Sequence, residues 1–176
     1  MRVNTKLAKN LKERTANNVH SAYVAEAKAH QRLLLFAKKA EEEELPQIAH
    51  LFRAVASAES VHARRHFMQL EDSINDTQTN LETSFQKETG VARVEYGQML
   101  REAEEDGEQA AALVFSQARD VEDGHAKLYK RALDHLIAQR TTEYYICQVC
   151  GYVADAKLPN NCPICGAPSS KFTKVE

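Results

Sequence analysis

The chain has 176 residues, 27% of them charged, and a formal net charge of −2. That length allows one sizeable core, or a core with a small appendage. There is no basic excess to suggest nucleic acid, no apolar leader in the polar stretch Met1 to Asn10, and no run near the ~20 apolar residues of a membrane span. Neither nucleic acid nor membrane is therefore an expected partner, and a cytoplasmic location is expected.

Asn4 or Thr5 is placed to cap a first helix running from Lys6 to about Ala40. Its stripe Val19, Tyr23, Glu26, His30, Leu33, Ala37 carries Glu26 inward. The acidic run Glu41 to Glu44 reads as a solvated turn, and Pro46 suits the first turn of a second helix reaching about Glu71. On that helix Ile48, Phe52, Val55, Glu59, His62 and His66 share a stripe. Asp72 to Thr79 is a polar linker. A third helix follows from about Thr79 to Asp106, with Leu81, Phe85, Glu88, Ala92, Glu95 and Met99 on one stripe. Gly90 and Gly97 interrupt it, each costing up to about 1 kcal/mol relative to Ala. Gly107 ends it, and a fourth helix runs from about Glu108 to Gln139 with the stripe Phe115, Ala118, Glu122, His125, Tyr129, Ala132, Leu136.

Each stripe is apolar at its ends and ionisable in its middle. A carboxylate facing a core is costly unless paired. The usual partner of an inward Glu-x-x-His is a metal ion. Glu59-Ser-Val-His62 and Glu122-Asp-Gly-His125 supply that motif twice, and a di-metal carboxylate site then needs one Glu from each of two other helices. Glu26 and Glu88 are in place for this. Residues 1–140 therefore read as an all-α four-helix bundle; an extended coiled coil would want Leu and Ile at these inward positions. His30 and His66 read as satisfied inward histidines beside the ligands, His20, His50 and His135 as surface residues, and Tyr23 and Tyr129 as packing.

Residues 144–176 differ in kind. Cys147-Gln-Val-Cys150-Gly and Cys162-Pro-Ile-Cys165-Gly are two Cys-x-x-Cys knuckles, a strong tetrathiolate metal signature. About thirty residues cannot build a stable apolar core alone, and a bound metal supplies the missing folding energy. Spacing does not decide between Fe and Zn.

These motifs, with Ala25-Glu26-Ala27, Ala58-Glu59-Ser60-Val61-His62-Ala63 and Glu122-Asp123-Gly124-His125-Ala126, resemble the rubrerythrin family over almost the whole chain. The resemblance implies a ferritin-like four-helix bundle with a small C-terminal rubredoxin-like metal domain. It implies two Fe bound by Glu26, Glu59, His62, Glu88, Glu122 and His125, with Glu59 and Glu122 bridging. One Fe (or Zn) is held by Cys147, Cys150, Cys162 and Cys165. Tyr96 matches a tyrosine near the metals. The family's second acid on the third helix falls at Val91, which cannot ligate; Glu95 is the candidate substitute, with a boundary carboxylate near Tyr96 as the other reading. Another family tyrosine is Leu33 here.

The implied activity is a non-haem di-iron, NADH-linked peroxidase of oxidative-stress defence. It reduces hydrogen peroxide to water and is re-reduced through the Cys₄ iron by a rubredoxin or an NADH-linked reductase. A ferroxidase or iron-handling protein is the alternative, and a metal-binding bundle with a structural zinc ribbon is a third. A tail beyond the fourth helix would sit about 20 Å from that helix's middle, given ~1.5 Å rise per residue. Relatives close such a gap head-to-tail across subunits, so a homodimer is expected.

Overall fold

A computed structural model describes residues 11–70, 74–134 and 142–176. The proposed caps Asn4 and Thr5, the linker start at residues 71–73, and Leu136 and Gln139 lie outside them. The chain divides into two units, Met1–Asn75 and Asp76–Glu176. Among the described residues no helix is long and apolar enough to cross a membrane.

The first unit is an antiparallel helical hairpin. Helix α1 spans Glu13–Glu42 and α2 spans Pro46–Phe67. Residues 11 and 12 are not helical, so α1 starts later than Lys6; Glu13 places an acid in its first turn, where the helix dipole favours it. At the other end Glu44 adopts φ 58° and the Leu45 amide bonds back to the Ala40 carbonyl at 2.9 Å. This closes the helix by the left-handed route that glycine more often takes. Pro46 opens α2, as its preset φ favours.

Small residues make the seam between the two helices. Ala49 and Ala56 have no exposed surface, Ala63 is 8% exposed, and Ala37 and Ala40 are buried opposite. Glu59 and His66 lie half-buried on the same line, whereas Ile48 and Val55 are exposed. The α2 seam is thus one residue round from the stripe that follows the large apolar side chains. Methyl groups let the two backbones approach, and the larger residues flank them.

The second unit begins with α3, Thr77–Gly90, capped by Asp76, whose carboxylate accepts from the Thr79 amide at 3.0 Å. A π-helical turn, Val91–Glu95, joins it directly to α4, Tyr96–Glu105. A π turn holds one residue more than an α turn. Beyond it the inward positions therefore move on by one, to Tyr96, Leu100 and the buried Ala103, while Glu95 and Met99 face outward. The uninterrupted stripe Glu88, Ala92, Glu95, Met99 is corrected accordingly. Gly107, at φ 75°, turns the chain into α5, described over Gln109–Asp134. Helix α5 packs on α3, the π turn and α4.

Three short strands complete this unit: β1 Tyr144–Cys147, β2 Val153–Asp155 and β3 Phe172–Lys174, antiparallel in the order β2-β1-β3. Tyr145 pairs with Ala154 on one side and Lys174 on the other. The sheet lies back along α5. Arg131 Nη2 is 3.3 Å from Asp155 Oδ2, and Gly151 packs on Val121.

Candidate metal centres

Three donor clusters form among the described residues: Glu26, Glu59 and His62; Glu88, Glu122 and His125; and the four cysteines. Within each, one donor atom per residue lies within 4.8 Å of all the others. The first belongs to the α1–α2 hairpin and the second to α3 and α5.

The two carboxylate–histidine triads repeat one arrangement. In each, a Glu and the His three residues later sit on one helix face. The His Nδ1 faces that Glu: His62 lies 3.0 Å from Glu59 and His125 2.8 Å from Glu122. The second carboxyl comes from the other helix and shares a proton with the first. Its hydrogen bond to Glu59, aided by burial, raises the Glu26 pKa, while the same bond holds Glu59 low. Burial, then the hydrogen bond to Glu122, pushes Glu88 up to about 7. Two carboxylates drawn this close repel unless a proton or a cation lies between them. A metal ion fits the donor set in place of that proton, since carboxylate and imidazole together suit iron.

The knuckles are also a matched pair. In each, the glycine after the second cysteine takes positive φ (Gly151 84°, Gly166 74°) and its amide bonds to the carbonyl of the first cysteine at 2.9 Å. The closest sulfurs are 3.7 Å apart for Cys147–Cys165 and 3.6 Å for Cys150–Cys162. That is far beyond a disulfide of about 2.05 Å. It matches the roughly 3.8 Å edge of a tetrahedron with metal–sulfur bonds of about 2.3 Å. Burial alone would raise the Cys147 thiol, but backbone N–H groups of Cys150 and Val149 outweigh it and bring it down to about 7, ready to ligate. Burial raises Cys150 and Cys165.

Two hydrogen bonds were not foreseen. His125 Nε2 lies 3.2 Å from the Gly151 carbonyl, the residue directly after Cys150. The carbonyl only accepts, so Nε2 carries the proton and the ring presents Nδ1 to the carboxylates. The tail is therefore not held about 20 Å from the middle of α5: it doubles back and meets that middle within its own chain. His30 Nδ1 likewise donates to the Ala56 carbonyl at 2.8 Å, tying α1 to α2 one turn from Glu26. The glycines after the knuckles were the available signal for the first; nothing in the sequence signals the second.

Tyr96 is half-buried, its ring centroid 6.2 Å from that of Phe115. Glu95 does not join Glu88, Glu122 and His125. It is exposed because the π turn carries it off the inward face.

Comparison with known proteins places both parts of the sequence. The family model "Rubrerythrin" matches residues 17–133 and "Rubrerythrin, rubredoxin-like domain" matches residues 145–173. Rubrerythrin-2 of Clostridium acetobutylicum is 32% identical over 174 residues, covering 90% of this chain and 95% of the relative. Nigerythrin of Nitratidesulfovibrio vulgaris is 30% identical over 172 residues, covering 90% and 85%. The solved structure of fully reduced, all-ferrous nigerythrin superposes with a TM-score of 0.57 at 28% identity, over 99% of this chain and 94% of that one. The fold is all-α and ferritin-like with a small rubredoxin-like metal domain, and the class is a di-iron oxidoreductase-type protein. The chain belongs to the rubrerythrin family. Its metals are two Fe at the carboxylate–histidine clusters and one Fe or Zn at the cysteines.

Proposed function

We propose that the chain reduces hydrogen peroxide to two molecules of water, taking up two electrons and two protons, at a di-iron centre to which the two triads contribute. Glu26, Glu59, His62, Glu88, Glu122 and His125 would hold the irons. When bound, the iron pair supplies the two electrons, one from each metal.

The chain's own residues do the rest. Before metal binds, the paired carboxyls of each triad share a proton, which Glu88 keeps into the neutral range; the metal takes the place of that proton, so loading the site releases it. His62 and His125 present Nδ1 beside Glu59 and Glu122, where each would hold the metal. Tyr96, on the inward face of α4, packs its ring beside that of Phe115.

The observation that carries this reading is the bond from His125 Nε2 to the Gly151 carbonyl. One covalent step and one hydrogen bond join a tetrathiolate cysteine to a triad histidine. Such a link gives electrons a short path between the cysteine site and the triad, which supports redox use of the cysteine site. An NADH-linked reductase or a rubredoxin is the expected electron donor and the cytoplasm the expected location; a homodimer is still expected from the resemblance alone, since the gap of about 20 Å that called for one is closed within the chain.

The test is single-turnover kinetics on the fully reduced, iron-loaded full chain. A stoichiometric pulse of hydrogen peroxide should oxidise the triad iron first and the Cys₄ iron second, with colour appearing at the tetrathiolate. Faster oxidation by O₂ than by peroxide, or a colourless cysteine site, would overturn the reading.

A further inference from the structure

We propose that His66 is a further ligand of the metal held by Glu26, Glu59 and His62. The inference deepens the di-iron reading of that triad and rests on it.

The placement is the first reason. His62 and His66 are four residues apart on α2, the spacing at which two imidazoles on one helix face reach a single metal. With Glu26 they make a two-histidine, one-carboxylate set, a combination that suits ferrous iron. Glu59 adds a fourth donor from the same face.

The surroundings are the second reason. A cavity of about 530 Å³ is lined by Glu26, His62, Arg65, His66 and Gln69. The His66 ring is half-buried there, lining the same cavity as Glu26 and His62. His30, the other inward histidine of the hairpin, is committed through Nδ1 to the Ala56 carbonyl, whereas no such bond ties His66. The ring stands outside the tight cluster of Glu26, Glu59 and His62, so ligation takes a side-chain rotation, and the cavity leaves room for it. Arg65 is exposed, and its long stem can keep the guanidinium in water. The last turn of α2, where His66 lies, carries the negative end of the helix dipole and favours a cation.

Among the described residues no better spare donor stands out. Val91 has no ligand atom, and Glu95 is turned outward by the π turn. A neutral imidazole also adds coordination without adding negative charge to a site that already holds two carboxylates.

The test uses the full chain with ¹⁵N-labelled histidine, loaded with Zn(II) at all sites so that every ring stays visible by NMR. A ring nitrogen of His66 should move to the metal-bound range together with those of His62 and His125, while exposed His20 and His50 stay unchanged. His66→Ala should release one zinc at roughly 10–100-fold lower chelator concentration. His50→Ala should retain it, and the Cys₄ site should be unaffected in both. If His62 shifts and His66 does not, with unchanged zinc retention in His66→Ala, the inference is wrong and the di-metal reading stands. If neither ring shifts, both fall.

Discussion

The docking of the cysteine domain on α5 can be loosened at one exposed point. Arg131 and Asp155 pair at 3.3 Å, with side chains 50% and 32% exposed. An ion pair in this setting contributes about 0.2–1 kcal/mol. Arg131→Glu removes it and sets two carboxylates face to face, for a total near 1–2 kcal/mol, or about a 5–30-fold rise in the undocked population. The hydrogen bond from His125 to Gly151 is then made less often. Electron transfer from the Cys₄ iron to the triad iron, followed by stopped flow after a peroxide pulse, should slow as the docked fraction falls, by at most this factor. Wild type at high salt should approach the variant, because exposed charges are screened. Amide NMR of the zinc-loaded protein gives a reading that does not depend on activity: Gly151 and Val153 should shift, while Cys162 and Gly166 should not. If the transfer rate and both amides are unchanged, the docking drawn here does not govern the path.

Cys162→Ser should lower metal content from three atoms to two per chain, melting the small sheet and sparing both triads; loss of triad metal as well, by elemental analysis, would show the ligands to be wrongly partitioned. Glu88→Ala should cost roughly 10–100-fold in iron affinity and Glu95→Ala almost nothing, and equal losses in a chelator titration would return Glu95 to the ligand set. Before metal is added, the melting temperature should fall as pH rises from about 5 to about 8. Glu88 titrates near 7 when folded against 4.5 in the unfolded chain, so its contribution is complete below 4.5 and lost as pH passes 7. Glu88→Gln should flatten that fall in a calorimetric pH series. Gly124→Ala should stabilise α5 by up to about 1 kcal/mol, since a Cβ there meets nothing within 4 Å; a lower melting temperature would expose an unseen contact.

Much of this could be read from residue types and spacing. Helix α1 turns the stripe Val19 to Ala37 inward as its periodicity requires, and the paired knuckles announce a tetrathiolate at any reading. The departures have physical causes. On α2 the large apolar residues mark the stripe in sequence, yet alanines occupy the seam, because close backbone approach rewards the smallest side chain and hydropathy does not. On the third helical rod a 3.6-residue period was carried through a π turn whose extra residue has no signature in composition. That single irregularity separates Glu95 from the inward face and brings Tyr96 onto it. The reach of the tail back to His125 depends on a three-dimensional path that spacing along a helix axis cannot anticipate.

The alanine seam has a mechanical consequence. Ala49, Ala56 and Ala63 recur at every seventh residue of α2, with Ala37 and Ala40 across from them. A methyl group has no rotamers, so this contact cannot yield by rearranging side chains, as a leucine-rich seam does. Interiors packed in this way transmit strain instead of absorbing it. When the charge on a bound metal changes, the compliant parts of the hairpin are then the long Glu26, Glu59 and His66 side chains, on a frame that keeps its spacing. Widening the frame, for instance with Ala56→Val, should stiffen nothing and shift the carboxylates apart, so that the hairpin tolerates redox cycling only while its seam stays small.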